Sequence, residues 1–178
     1  GHDYEKIVFK NKSVDEFSLM GVSKTLIPNR ISYFYDWHGP SEVVDTACSS
    51  SLVAVHHAVR AICNNECTMA VAGGINLIID SESHLSLEKI GMLAKDGISK
   101  TFDKHGDGYA RGEGCVLMLL KPLSEAVKDN DNIYAVIKSA AINHGGKANS
   151  LTAPNMNAQI DVITKAYKQS KINPRQLG

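Results

Sequence analysis

Asp45-Thr46-Ala47-Cys48-Ser49-Ser50-Ser51-Leu52 lies between two contrasting patterns. Ser41 to Thr46 (SEVVDT) reads as a short strand, and Leu52 to Ile62 (LVAVHHAVRAI) is apolar on most faces, as a buried helix is. A strand that turns sharply into a helix puts the turn residue's side chain out at the tip. Here that residue is Cys48. The unsatisfied N–H groups and dipole of a helix N-terminus favour an anion by roughly 0.3–1 kcal/mol. They therefore favour the thiolate, the reactive form of cysteine. Ala47 and the serines are small enough to let a substrate approach the sulfur. Most free cysteines are inert packing residues, and position alone leaves that reading standing beside the nucleophile.

Outward from this turn, short apolar runs alternate with helical stretches, a pattern of βα units and a mostly parallel sheet. Met69 to Gly73 (MAVAG) reads as a strand running into Gly73-Gly74, and Ser81 to Glu88 as a short helix. Gly91 to Gly114 is a long Gly- and Asp-rich loop, more often functional than filler at that length. Cys115 to Leu120 (CVLMLL) reads as a fully buried strand. Pro122 suits the first position of a helix running through Val127. Tyr134 to Ile142 reads as another strand. Asn155 is placed to cap a helix carrying Met156, Ile160, Ile163 and Tyr167 on one stripe, which ends before Asn173-Pro174.

The 178 residues are 43% hydrophobic and 21% charged, enough for a sizeable core in an ordinary globular protein. Lys+Arg and Asp+Glu are both 19, so no net charge points to nucleic acid or an anionic membrane. No apolar run approaches the ~20 residues that span a bilayer. Cys48, Cys63, Cys67 and Cys115 have neither disulfide-framework nor zinc-site spacing, which favours a reducing, cytoplasmic setting. Gly1 at the start and the turn Asn173-Pro174-Arg175-Gln176-Leu177-Gly178 at the end read as cut rather than finished.

Two other patterns fail on their own chemistry. Asp103 to Gly108 begins like a calcium loop, but His105 stands third and Gly114 stands twelfth, where a bidentate Glu is required. Gly108, Gly112 and Gly114 have the wrong spacing for a phosphate cradle and lead into a strand, not a helix. Asp107, Arg111 and Glu113 are then available for structural ion pairs.

The string DTACSSSLVAVHHA resembles the active-site signature of type I polyketide β-ketoacyl synthases. Other blocks resemble that family in the same order: Asn29-Arg30-Ile31-Ser32-Tyr33, Gly39-Pro40-Ser41, Ala72-Gly73-Gly74-Ile75-Asn76, Phe102-Asp103, Asp107 to Gly114, and Leu151-Thr152-Ala153-Pro154-Asn155 followed by Gln159. The resemblance extends from about Asp3 to the end. It implies an α/β, thiolase-like fold of βα layers around a mixed sheet, here incomplete. Residues 1–178 are expected to form a partial ketosynthase domain. About 1–130 would be a first half lacking its start, and about 131–178 the beginning of the second.

The resemblance also implies chemistry. Cys48 is the expected nucleophile and holds the acyl chain as a thioester, its backbone N–H being a candidate oxyanion donor. No cofactor or metal is implied. Substrates arrive on the phosphopantetheine arms of acyl carrier protein. Neighbouring synthase domains and a second copy in a homodimer are the other expected partners. The two family histidines are expected beyond residue 178, so the chain alone should not condense substrates. His56 and His57 read as packing or interface residues, and His2, His38, His84 and His105 as loop residues. His144 sits at a variable position of a block usually reading Asn, any residue, Asp, Gly; Gly145 replaces that Asp. Tyr33, Phe34, Tyr35 and Trp37 would line an acyl pocket, form a subunit contact or pack in an ordinary core helix.

An elongating polyketide ketosynthase is the leading reading. A fatty-acid synthase condensing domain is close to it, though the three serines after Cys48 favour the polyketide branch. A domain that passes acyl groups on without forming a bond differs by a missing histidine. A loading domain with glutamine in the nucleophile's place is excluded by Cys48, and a Cys-His hydrolase lacks matching partners in this chain.

Overall fold

The computed structural model describes residues 3–10 and 14–176. His2 and the Leu177-Gly178 end of the closing turn lie outside the described residues. In chain order come α1 (Asp3–Lys10), α2 (Ser18–Val22), α3 (Leu26–Phe34), a 3-10 turn (Ala47–Ser49), α4 (Ser50–Cys63), β1 (Ala70–Asn76), α5 (Glu82–Lys89), β2 (Gly114–Leu120), α6 (Leu123–Lys128), α7 (Met156–Ser170) and a closing 3-10 turn (Pro174–Gln176).

Where the determinants are local, the elements fall as expected. Asn155 caps α7, its side chain accepting hydrogen bonds from the N–H groups of Asn157 and Ala158. Lys171 ends the helix in the left-handed conformation, before Asn173-Pro174. Pro122 is the N-cap of α6 rather than its first residue, a shift of one position. His84 lies on α5, not in a loop.

β1 and β2 form an antiparallel two-stranded sheet. A Cβ on Gly73 would overlap the Val116 carbonyl oxygen, so only glycine allows this approach of the two backbones. Among the described residues the expected parallel sheet is not formed. Parallel pairing occurs at one isolated bridge, Leu93 with Tyr109. Ser41 to Thr46 and Tyr134 to Ile142 are not strands: a strand requires a ladder, and among the described residues the sheet is made by β1 and β2.

Burial departs further from expectation. Among the described residues, the buried apolar ones are Val55, Ala72, Ala94 and Ala126. Leu52 on α4 is 74% exposed, and β2 is exposed from Gly114 to Leu119. Met156, Ile160 and Ile163 of α7 are exposed as well, while Ala158, Val162, Ala166 and Tyr167 are half-buried. Apolarity marks a surface suited to burial, but only a packed neighbour buries it.

The chain divides into two compact units. One comprises Gly1–Val43 and Gly73–Leu117. Within it Asp3 anchors α1: its carboxylate is buried and accepts from the N–H groups of Ile79 (3.3 Å) and Asp80 (3.4 Å), while Lys6 pairs with Glu82 at 2.5 Å. The aromatic group at the end of α3 is no core: Tyr33 is 90% exposed, and Trp37 stacks on Tyr35 with ring centres 5.1 Å apart.

The second unit comprises Val44–Ala72 and Met118–Gly178. Side chains hold much of it. Ser139 Oγ donates to the Ala166 carbonyl (2.8 Å) and Asn143 Nδ2 to the Ala158 carbonyl (2.8 Å), fastening the segment before α7 to that helix. Lys121 pairs with Asp129 at 2.5 Å and Asp131 at 2.7 Å, and these hydrogen bonds, Asp129 first, raise its pKa.

Candidate active site

Cys48 sits in the 3-10 turn that runs directly into α4, with its side chain exposed. The turn is made by an uncommon backbone. Ala47 has φ 55°, a left-handed conformation that a residue with a Cβ adopts only at a cost of about 1–3 kcal/mol. Such strain persists where the surroundings over-determine it. Hydroxyls supply that determination. Ser50 Oγ accepts from the Thr46 N–H (2.9 Å) and donates to the Ala47 carbonyl (2.7 Å). Ser49 Oγ donates to the Thr46 carbonyl (2.9 Å) and lies 2.9 Å from Thr46 Oγ1. The serines thus do more than leave room around the sulfur: they close the bend that presents it.

The other thiols differ in setting. Cys63 ends α4 and is exposed, and Cys115 is exposed on β2. Cys67 is half-buried; desolvation first, and the Glu66 charge second, push its thiol up and disfavour its thiolate.

A second feature of the same unit escaped the sequence reading. Asn143, His144, Gly145, Gly146, Leu151, Pro154, Asn155 and Gln159 are among the residues lining a cavity of about 300 Å³. Asn155 organises it with both ends of its amide. Oδ1 caps α7, while Nδ2 donates to the carbonyls of Gly145 (2.7 Å) and Lys147 (3.3 Å). His144 Nδ1 accepts from the Gly146 N–H at 2.9 Å, so the histidine shapes its own loop. The signal was available: an Asn cap spends only its oxygen on the helix and leaves two N–H donors to place.

In the other unit, the Gly91 to Gly114 loop carries the remaining candidate residues. Asp107 pairs with Lys100 at 2.6 Å, an ion pair of the expected kind. Arg111 instead donates to Ser83 Oγ (3.2 Å), and Glu113 accepts from the Ile78 N–H (2.6 Å).

Residues 1–126 match the family described as "Beta-ketoacyl synthase, N-terminal domain", and residues 134–178 its C-terminal counterpart. The chain belongs to the β-ketoacyl synthase family. Polyketide synthase PksN of Bacillus subtilis (strain 168) is 49% identical over 168 residues, 94% of this chain and 3% of that protein. Highly reducing polyketide synthase verA of Penicillium polonicum is 43% identical over 176 residues, 98% of this chain and 7% of that protein. The chain thus spans only a few per cent of these relatives' length. Among solved structures, the ketosynthase from module 6 of the bacillaene synthase from Bacillus subtilis 168 superposes with a TM-score of 0.87 at 40% identity, covering 93% of this chain and 30% of that one. The Streptomyces albus JA3453 oxazolomycin ketosynthase domain gives 0.86 at 43% identity, covering 88% and 28%. At that identity the α/β, thiolase-like fold of the ketosynthases is the fold of this chain.

Proposed function

We propose that this chain is part of a polyketide synthase ketosynthase domain performing decarboxylative Claisen condensation, with Cys48 as its acyl-carrying nucleophile. The observation that carries the reading is the exposed thiol at the head of α4, on a bend held by Thr46, Ser49 and Ser50. The Cys48 thiolate attacks an acyl thioester on a carrier protein and expels the carrier's thiolate. A malonyl-type extender on carrier protein then loses carbon dioxide. Its carbanion attacks the Cys48 thioester, forms the new C–C bond and returns Cys48 as thiolate. Both carbonyl attacks build charge on oxygen, and the Cys48 N–H is one donor for it.

The reading needs no cofactor, metal, nucleic acid or membrane, and among the described residues no helix is long and apolar enough to cross one. Its partners are acyl carrier protein, neighbouring synthase domains in the same chain and a second copy in a homodimer, in the cytoplasm. The division near residue 130 into the main part of one thiolase-like half and the beginning of the other belongs to the same proposal. Polyketide rather than fatty-acid substrates are favoured by the relatives' names and by the serines after Cys48.

The test uses the complete synthase with an acyl-carrier thioester and mass spectrometry of its peptides. Acyl mass is expected on Cys48 and absent from Cys48→Ala, with condensation lost. Acylation of Cys63, Cys67 or Cys115 in its place would overturn the assignment. Acyl loading without carbon–carbon bond formation would identify a non-elongating domain instead.

A further inference from the structure

α4, which follows the Cys48 turn, carries a histidine with a long-range partner. His56 lies nearly two turns beyond Ser50, about 9 Å along the helix axis, half-buried. That displacement puts its ring out of reach of a proton on Cys48. Its Nδ1 stands 3.1 Å from the Ala140 carbonyl oxygen, across 84 residues of chain. A carbonyl only accepts, so Nδ1 donates. Ala140 belongs to the ladderless segment between α6 and α7 that leads into Asn143-His144-Gly145-Gly146 on the cavity wall. Ser139 and Asn143 fasten this segment to α7, and Asn155 fastens the loop after it. His56 joins the same segment to α4, the helix that follows the Cys48 turn.

We propose that His56 is a positioning residue that sets the register of the Cys48 helix against the segment leading into the polar cavity. This rests on Cys48 being the nucleophile. Deleting the bond leaves the hydroxyl-pinned bend at Thr46 to Ser50 intact, so the thiol keeps its local setting. What changes is where α4 stands relative to the loop, which matters to a reaction requiring several groups in place together.

The identity of the donating nitrogen makes the test specific. The amide nitrogen of Asn falls near the place of imidazole Nδ1, whereas that of Gln reaches the place of Nε2. In the full-length synthase, His56→Gln should slow acyl transfer from carrier protein to Cys48 about tenfold, as a small misplacement does. Alkylation of Cys48 by iodoacetamide should keep its wild-type rate. His56→Asn should restore transfer to within about threefold of wild type. Asn performing as poorly as Gln, Gln performing as wild type, or alkylation slowing in step with transfer would each overturn the proposal. If His56→Gln does not fold, His56→Asn decides alone, a tenfold loss counting against the proposal. A failure of the underlying assignment looks different: wild-type protein would then carry its acyl group somewhere other than Cys48.

Discussion

The bend at Thr46 to Ser50 and the loop from Gly91 to Gly114 are both irregular backbone, yet different physics holds them. The bend is closed by neutral hydroxyls acting over three or four residues, around one left-handed Ala47. The loop is closed over longer spans, by backbone contact and by charge. Gly108, at φ 145°, lies against Leu93 and Ala94, where the Ala94 N–H donates to the Tyr109 carbonyl (3.1 Å) and the Tyr109 N–H to the Met92 carbonyl (3.0 Å). Lys100 bridges Asp96 and Asp107. Short-range neutral bonds give a rigid presentation that pH and salt leave alone. Long-range pairing gives a loop that depends on one steric contact and, more weakly, on ionisation.

Gly108→Ala strikes the loop at that steric contact and should have the largest effect. A Cβ there would overlap the Leu93 and Ala94 backbone while occupying a φ that side chains rarely adopt. Loss of more than about 3 kcal/mol is expected, read as a large fall in melting temperature or loss of soluble full-length domain. Wild-type stability in this variant would mean that the Leu93–Tyr109 bridge does not hold the loop.

Ser50→Ala addresses the bend. It removes the acceptor for the Thr46 N–H and the donor to the Ala47 carbonyl, and should cost about 1 kcal/mol in denaturant titration. With the left-handed Ala47 less firmly held, the acylation proposed for Cys48 should slow by more than that stability change accounts for. A Ser50→Ala enzyme acylated at the wild-type rate would show that the hydroxyl clasp is dispensable for presenting the thiol.

This contrast also explains which features were legible in the sequence. Asn155 and α7, α5 and the position of Cys48 before a helix all follow from neighbours within a few residues. Ala47 carries no such mark, because neither Gly nor Asn stands there to announce a left-handed residue. Ser41 to Thr46 and Tyr134 to Ile142 have strand-like composition, but ladder partners decide a strand. Val116 to Leu119 and Leu52 have the apolarity of a core, yet the described residues leave them exposed, because apolarity buries nothing without a packed neighbour. The cavity was missed because it needs the amide of Asn155 to reach back ten residues to Gly145.

The smallest expected effect is the ionic one, and its direction can be derived. Hydrogen bonding to Lys100 lowers the pKa of Asp107, and that of Asp96 with help from the Ile98 N–H. Support from a depressed carboxylate is present above its ordinary value of 3.8 and is lost as pH falls through the lower folded value. Lys100 is raised, first by Asp107 and then by Asp96. Its support is complete below 10.5 and disappears as pH climbs through the higher folded value. The loop should therefore resist limited proteolysis evenly across neutral pH, and open both below about pH 4 and above about pH 10.5. Lys100→Met should remove the alkaline limb and shrink the acid limb to what the Ile98 N–H bond to Asp96 leaves. Because these groups are partly exposed, added salt should also narrow the difference between wild type and variant. Cleavage within residues 91–114 that follows the same pH profile in both proteins would show that backbone contact at Gly108 closes the loop without help from charge.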